Sequence, residues 1–275
     1  MLRKAIVSNL VIVSLLFSSF SFTGCASLPG AKEPTDAEIN AEAEKAYADV
    51  KAKSKMSTNK EWNDMVQRVV KRIAVASGEN FQWEAVVIES PEVNAWCMPG
   101  GKIAVYTGIM PVLKTEAALA AVLGHEVAHA TRRHGKKGYA RAIKEQYAGI
   151  ALGAGAILAG QLLCKSQTCK TATLAGGAGA GLLITFLDRK FSRTDETEAD
   201  QYGQIYMAKA GYDPAESIKL WERMGAANAG KAPPEFMSTH PSDTTRRANL
   251  TNWLPQAELA YNQAPQRFGL GQPVP

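Results

Sequence analysis

Apolar residues recur at steps of three and four along residues 62–73, which is the spacing of one face of an α-helix. The pattern predicts an amphipathic helix that ends near Gly78. The next apolar segment, Trp83 to Ile88, is rich in β-branched residues and predicts a strand. Residues 92–101 form a predicted turn region, and the alternation over Lys102 to Thr107 predicts a second strand.

The rest of the chain has mainly helical periodicity. Thr115 is suited to cap a helix that runs to about Arg133, and further helices are predicted over 192–210, 214–225 and 244–253. The long helical segments and the two short strands together predict an α+β fold. We expect it to be mainly helical with a small antiparallel sheet.

Two segments rich in Ala, Gly, Leu and Ile lie between residues 148 and 187 and flank a polar turn, Cys164 to Cys169. Each segment has the length of a helix but is weakly apolar for a membrane span. Small residues allow two helices to pack tightly in a core, whereas an apolar hairpin could instead cover an active site or touch a bilayer. Both interpretations stay open. Outside the cytoplasm, Cys164 and Cys169 can close into a disulfide.

The N-terminus has the order of a secretion signal, in which Arg3 and Lys4 precede an apolar stretch that ends at Gly24-Cys25. The cysteine resembles that of the bacterial lipoprotein box, where signal removal exposes it for lipidation. The alternative is a transmembrane anchor with an ordinary cysteine. Four parts are predicted: a signal peptide at 1–24, a lipidated tether at 25–40, one domain at 41–255 and a flexible tail at 256–275.

Charge excludes one class of partner. The chain has 31 basic and 26 acidic residues, and its net charge of +5 shrinks once Arg3 and Lys4 leave with the signal. The remaining basic residues are interspersed with acids, so no nucleic-acid partner is expected. Ala26 after Cys25 resembles proteins sorted to the outer membrane. The predicted location is therefore the bacterial cell envelope, lipid-anchored and facing the periplasm.

Residues His125-Glu126-Val127-Ala128-His129 spell H-E-x-x-H next to an apolar run. On a helix, positions four apart face the same way, so the two histidines can hold one metal ion while Glu126 reaches its water as a general base. The chain has only 4 histidines, and burying two with a carboxylate would be unfavourable without a partner. The motif predicts a zinc hydrolase.

A catalytic zinc takes three protein ligands and leaves a place for water. The third ligand of such motifs comes from a downstream histidine or from a glutamate on a separate helix. His134 follows His129 too closely for the first arrangement and is expected to be structural. The acidic segment from Glu196 to Asp200 offers candidates for the second.

H-E-x-x-H with the later E-x-x-A-D, Glu196 to Asp200, resembles the gluzincin zinc metallopeptidases of the HtpX and CAAX-protease group. The lipoprotein start is most similar to that of the LoiP-like periplasmic members. The resemblance implies a zincin-like fold, one Zn²⁺ per chain and endopeptidase activity. Further matching residues, in order, are Asn94 to Gly101, His134-Gly135, Ser192-Arg193, His240-Pro241 and Arg246.

The resemblance also implies roles for single residues. Glu196 becomes the third zinc ligand, and Asp200 accepts a hydrogen bond from a ligating histidine, which fixes its tautomer. His240 binds the metal at rest or contacts the transition state, unless it is a loop histidine held by its proline neighbour. Arg246 either orients that loop through a carboxylate or helps to stabilise the oxyanion. Glu198 is expected to be solvated or salt-bridged.

The strand that starts at Lys102 is expected to present an open edge to an extended peptide, with contacts from Asn94, Ile103, Ala104 and Val105. Main-chain pairing makes little demand on sequence. This favours a quality-control protease that cleaves unfolded, damaged or misassembled envelope proteins. Two alternatives are a zinc-stabilised chaperone or assembly factor, against which the intact Glu126 argues, and a structural lipoprotein with a membrane-inserted hairpin.

Overall fold

A computed structural model describes residues 33–141, 191–227, 236, 240 and 245–275. The predicted signal peptide with Cys25 and the apolar segments with Cys164 and Cys169 lie outside these residues. Within them, no helix is both long enough and apolar enough to span a bilayer. The helices are α1 (Asp36–Lys53), α2 (Lys60–Ser77), α3 (Met110–Leu113), α4 (Glu116–Thr131), α5 (Arg193–Lys209), α6 (Ala215–Ala227) and α7 (Arg246–Asn262).

Local signals fix the ends of α2, as predicted. The Asn59 side chain accepts a hydrogen bond from the backbone of Trp62, which satisfies one of the free N–H groups at the first turn. Gly78 ends the helix with φ at 73°, a left-handed conformation that glycine adopts without strain. The apolar face between these ends is buried.

α1 extends the domain towards the N-terminus. Thr35 and Glu38 form a capping box at its start. Tyr47 is fully buried on the sheet, and its hydroxyl donates to the carbonyl of Ile103 at 3.0 Å. α1 begins at Asp36, so the last residues of the segment predicted as a tether at 25–40 are helical.

The sheet has strands β1 (Glu84–Ile88), β2 (Ala95–Met98) and β3 (Lys102–Tyr106) in the order β1-β3-β2. β1 pairs with β3 in parallel and β2 pairs with β3 antiparallel. The mainly helical α+β class is confirmed, but the sheet is mixed rather than antiparallel. β2 was hidden in the predicted turn region, because it has only four residues and runs into Pro99-Gly100.

The prediction that β3 offers an open edge is wrong. β3 is the central strand, with a partner on each side, and Ile103, Ala104 and Val105 are fully buried. The backbone carbonyl of Asn94 accepts from the backbone N–H of Tyr106 at 3.0 Å, so Asn94 continues the pairing of β2 with β3. The hairpin that leads from β2 into β3 places β2 at the edge.

α4 runs through the core, and all its residues from Glu116 to Thr131 are buried. It packs against α2, α5 and β2. Gly124 on α4 lies against Gly203 on α5, so that a Cβ on Gly124 would lie 2.6 Å from the carbonyl oxygen of Gly203. Only glycine allows this approach, which brings the H-E-x-x-H turn next to the acidic residues of α5.

The prediction of a flexible tail at 256–275 is wrong for the part that follows α7. The backbone N–H groups of Glu116 and Ala117 donate to the carbonyls of Gln272 and Leu270 at 2.8 and 3.0 Å. The Trp62 indole donates to the carbonyl of Pro275 at 2.9 Å. Gln, Pro and Gly suggest fraying, but here the segment satisfies the free N–H groups of the first turn of α4.

Candidate metal centre

The three predicted ligands come together between α4 and α5. The Nε2 atoms of His125 and His129 lie 3.1 Å apart. The Glu196 carboxylate lies 3.4 Å from each of these nitrogens, through one oxygen for each histidine. All three side chains are buried.

His240 joins this group from a distant part of the chain. Its Nδ1 lies 3.1 Å from Nε2 of His125 and 3.0 Å from Oε1 of Glu196. One potential ligand atom from each of the four residues lies within 4.8 Å of the other three. Imidazole nitrogens and a carboxylate oxygen are the donors that zinc takes in proteins, so the residues present fit a divalent metal ion.

Two aromatic rings enclose His240. Its imidazole stacks on Phe236 at a centroid distance of 4.7 Å and on Phe191 at 5.4 Å. Phe191 also packs against His129, with centroids 3.9 Å apart. Sequence reasoning missed both phenylalanines, because neither is part of a ligand motif, although Phe191 directly precedes Ser192-Arg193 and Phe236 lies one helical turn before His240.

Asp200 holds His125 from the side away from Glu196. Its Oδ1 lies 2.8 Å from Nδ1 of His125, which leaves Nε2 directed at the other ligands. Burial by itself would raise the pKa of Asp200, but Arg246 and His125 keep that pKa below its usual value. The Asp200 carboxylate is therefore placed to accept a hydrogen bond from Nδ1 of His125.

Arg246 contacts carboxylates, in keeping with the first of its two expected roles. Its Nη2 donates to Asp200 at 2.7 Å and to Glu196 at 3.0 Å. The guanidinium also stacks 3.6 Å over the Trp221 ring. Burial favours the neutral form of Glu196, but the histidines around it hold its pKa well below the usual range. The first turn of α7 is thus tied to α5 through charge.

Glu126 differs from the other carboxylates of the site. Burial raises its pKa to about 7. The backbone of Cys97 on β2 is hydrogen-bonded to this carboxylate, while Oε1 has no hydrogen-bond partner within the described part of the chain. A carboxylate with a pKa near neutrality and a free oxygen is suited to take up and release a proton.

Two residues that sequence reasoning left out of the site contact it. Nδ1 of His134 lies 2.9 Å from Nδ1 of His129, and Nε2 of His134 lies 3.0 Å from Glu198. Glu198 is salt-bridged, as expected, through Arg132 at 2.6 Å. Burial opposes ionisation of Glu198, but hydrogen bonds from His134 and Arg132 lower its pKa to about 2.

The sheet edge beside the metal ligands belongs to β2. Asn94 and Tyr106 are a hydrogen-bonded pair, so the antiparallel alternation turns the N–H and C=O groups of Ala95 and Cys97 away from β3. A narrow cleft adjoins this edge. Among the residues that line it are Ile39, Cys97, Met98, Pro99, His129 and Phe191.

Comparisons with known proteins agree with this arrangement. Residues 57–254 match the model of peptidase family M48. The chain is similar to mitochondrial metalloendopeptidase OMA1 of Schizosaccharomyces pombe, with 41% identity over 201 residues that cover 70% of this chain and 53% of that protein. OMA1 of Saccharomyces cerevisiae is 34% identical over 193 residues, which cover 68% of this chain and 51% of that protein.

A bacterial relative is the beta-barrel assembly-enhancing protease of Escherichia coli K12. It is 28% identical over 191 residues, which cover 68% of this chain and 37% of that protein. The chain thus spans about half the length of the OMA1 proteins that it matches, and less of the bacterial one.

Proposed function

Because the chain belongs to peptidase family M48, we propose that it is a zinc-dependent endopeptidase with the metal held by His125, His129 and Glu196. The observation that carries the proposal is the convergence of these side chains with His240, within 4.8 Å of one another, beside a carboxylate with a pKa of about 7. A merely structural zinc site would have no use for Glu126. The names of the OMA1 and beta-barrel assembly-enhancing relatives support a proteolytic activity.

Proton transfer is the proposed task of Glu126. A bound zinc ion would supply Lewis acidity that polarises the scissile carbonyl and makes water more acidic. Glu126 takes the proton of the attacking water at Oε1, which lies 3.4 Å from Nε2 of His240, and then delivers it to the leaving nitrogen. Cys97, through its backbone hydrogen bond, holds the carboxylate in place for both transfers.

His240 has a proposed role in the resting enzyme. It is buried, it is stacked between Phe191 and Phe236, and its Nδ1 lies 3.1 Å from a ligand nitrogen of His125. We propose that it serves as a fourth ligand at rest. In this proposal a peptide carbonyl displaces the imidazole from the ligands, and the displaced ring then contacts the transition state.

The proposed substrates are extended polypeptides that pair with the edge of β2. The outward N–H and C=O groups of Ala95 and the outward C=O group of Cys97 offer main-chain hydrogen bonds next to Glu126, while the backbone N–H of Cys97 is hydrogen-bonded to Glu126. Pairing through the backbone selects unfolded chains rather than a particular sequence. Unfolded or misassembled envelope proteins are therefore the proposed substrates.

The proposed location is the bacterial envelope, with a lipid on Cys25 that anchors the protein to the outer membrane on its periplasmic side, as in LoiP-like members. The sequence around Cys25 and the similarity to the Escherichia coli protease support it. Radiolabelled fatty acid should be incorporated into the wild-type protein and not into Cys25→Ser. Labelling of the variant would refute the anchor without affecting the proposed chemistry.

The activity is tested on the purified protein by its metal content and by cleavage of casein with and without a chelator. Wild type should contain about one zinc per chain and should lose activity with the chelator. Glu126→Gln should retain zinc and lose at least about a hundredfold in kcat, since a positioned base contributes that much. Glu258→Gln, an exposed substitution of the same kind, serves as the control. Full activity of Glu126→Gln with zinc bound would overturn the mechanism.

A further inference from the structure

His129 has a hydrogen-bond partner on the side of its ring that faces away from Glu196. Nε2 of His129 lies 3.1 Å from Nε2 of His125, among the proposed metal ligands. Its other nitrogen, Nδ1, lies 2.9 Å from Nδ1 of His134. Both rings are fully buried, so no water competes for this contact.

The second nitrogen of His134 meets a carboxylate. Nε2 of His134 lies 3.0 Å from Oε2 of Glu198. Oε1 of Glu198 accepts from Nε of Arg132 at 2.6 Å, and Lys137 lies 3.6 Å from Oε2. A carboxylate between two cations accepts hydrogen bonds and donates none, so Nε2 of His134 has to carry the proton.

The hydrogen bonds from Glu198 through His134 to His129 form a series, and the proton position on each ring determines that on the next. With its proton on Nε2, neutral His134 presents a lone pair at Nδ1, and only an N–H of His129 can meet that lone pair favourably. His129 then has its proton on Nδ1 and a lone pair on Nε2, the form that binds a metal ion. With the other tautomer of His134, a His129 in its metal-binding form would have its Nδ1–H against the Nδ1–H of His134 at 2.9 Å.

We propose that His134 and Glu198 are positioning residues that select the metal-binding tautomer of His129. The proposal rests on the metal site proposed above and adds two residues to it. His125 has the simpler arrangement, in which Asp200 accepts directly from its Nδ1 at 2.8 Å. The two histidines of the motif are thus oriented by separate carboxylates. Asp200 acts directly on His125, whereas Glu198 acts on His129 through the imidazole of His134.

The backbone before His134 is shaped to make this contact. α4 ends at Thr131, and Arg133 then adopts φ of 58°, a left-handed conformation that is unfavourable for a side chain of this kind. Ion pairs from Arg133 to Glu79 at 2.5 Å and to Asp36 at 3.1 Å hold that conformation. The turn directs the chain back so that His134 lies beside His129.

The test measures zinc affinity by competition with a chromophoric chelator. Glu198→Gln is nearly isosteric but can donate as well as accept, so it removes the selection of the tautomer. Glu198→Gln and His134→Ala should each bind zinc about 10- to 100-fold more weakly than wild type. The double variant should be no weaker than His134→Ala, because both residues act through one chain of hydrogen bonds.

A spectroscopic readout separates positioning from a loss of stability. Long-range ¹H–¹⁵N spectra of the metal-free protein should show His129 protonated at Nδ1 in wild type and a mixture of tautomers in Glu198→Gln. Lys137→Ala is the control, because Lys137 contacts Glu198 without touching either imidazole. It should leave zinc affinity within about twofold of wild type.

The outcomes distinguish the two proposals. If wild type binds zinc and Glu198→Gln binds it equally well with the same tautomer of His129, the positioning role is refuted while the metal site stands. If wild type binds no zinc, both proposals fail. Should His134→Ala not fold, Glu198→Gln decides alone, since Glu198 is partly exposed and its replacement leaves the core intact.

Discussion

The guanidinium of Arg246 donates hydrogen bonds to both oxygens of Asp200, and the same carboxylate accepts from His125. Arg246 also donates to Glu196 at 3.0 Å. Its replacement by alanine leaves two buried carboxylates without their cation. We expect Arg246→Ala to lower the free energy of unfolding by about 3–5 kcal/mol, as measured by urea denaturation.

Arg247 provides the matched control for this experiment. It follows Arg246 in α7, but its side chain is exposed and pairs only weakly with Glu222, at 3.5 Å. Arg247→Ala should change the free energy of unfolding by no more than about 0.5 kcal/mol. Equal effects of the two substitutions would contradict a special role for the buried guanidinium.

The contact of α4 with α5 predicts sensitivity at Gly203. A Cβ at this position would lie 2.7 Å from the backbone nitrogen of His125, so Gly203→Ala must push the helices apart. We expect a loss of about 1–3 kcal/mol in stability from overpacking, together with weaker zinc binding, since the ligands sit on both helices. Unfolding curves and chelator competition measure the two effects.

Gly225→Ala is the matched substitution at a helical glycine, because no atom of the described residues lies within 4 Å of the added Cβ. Alanine is the better helix former, so this variant should gain about 0.5–1 kcal/mol. Opposite signs for the two glycine variants are expected. Destabilisation of both by the same amount would mean that the contact of α4 with α5 does not explain the effect of Gly203→Ala.

Glu116, which is not among the metal ligands, should make the stability of the protein depend on pH. Its burial opposes ionisation, but hydrogen bonds from Arg68, the backbone of Gln272 and Tyr212 lower its pKa below the ordinary 4.5. A lowered pKa in the folded state stabilises the protein above the unfolded value of 4.5, and this contribution is lost as pH falls through the folded value.

Glu116→Gln should therefore be less stable than wild type at pH 7, by about 1.5–3 kcal/mol for hydrogen bonds to a charged group. The difference should narrow steadily below pH 4.5. Urea denaturation of both proteins between pH 3 and pH 8 measures it. A difference that does not depend on pH would show that shape, not charge, explains the effect.

Metal removal should lower thermal stability, because the ligands come from α4 and α5 and an ion binds only the folded arrangement. At a free zinc concentration of 1,000 times Kd, binding adds about 4 kcal/mol. Calorimetry with added zinc and with chelator should show a higher Tm with zinc for wild type. His125→Ala should show little difference, and an equal zinc-dependent rise in that variant would place the ion elsewhere.

The residues at the centre of the site were predictable from the sequence because a helix determines their relation locally. His125 and His129 are one turn apart, and so are Glu196 and Asp200, so each pair shares a face without any tertiary information. The structure brings the two pairs together through Gly124 and Gly203. The motifs identify the residues, whereas the helix contact supplies their geometry.

The strand order, the contact of His134 with His129 and the packing of the segment after α7 could not be predicted, because each depends on contacts that the local residue pattern does not show. β2 has only four residues, so its pattern could not be told from a turn, and without β2 the strand at Ile103 appeared to be an edge. The contact of His134 with His129 depends on the left-handed turn at Arg133, and the pattern of residue types does not predict this turn. The segment after α7 was misjudged for a similar reason, because polar composition does not show that its carbonyls meet α4.

The segments at either end of the described domain have a consequence for anyone who wishes to excise it. α1 lies before the family-matched residues 57–254, and the segment after α7 lies beyond them. Both segments nevertheless contact the domain. Tyr47 of α1 is hydrogen-bonded to the sheet, and the carbonyl of Gln272 accepts from the first turn of α4. A fragment trimmed to those bounds would uncover apolar surface on the sheet and unpaired amides at the start of α4. Expression boundaries are better drawn outside both segments than at the limits of sequence similarity.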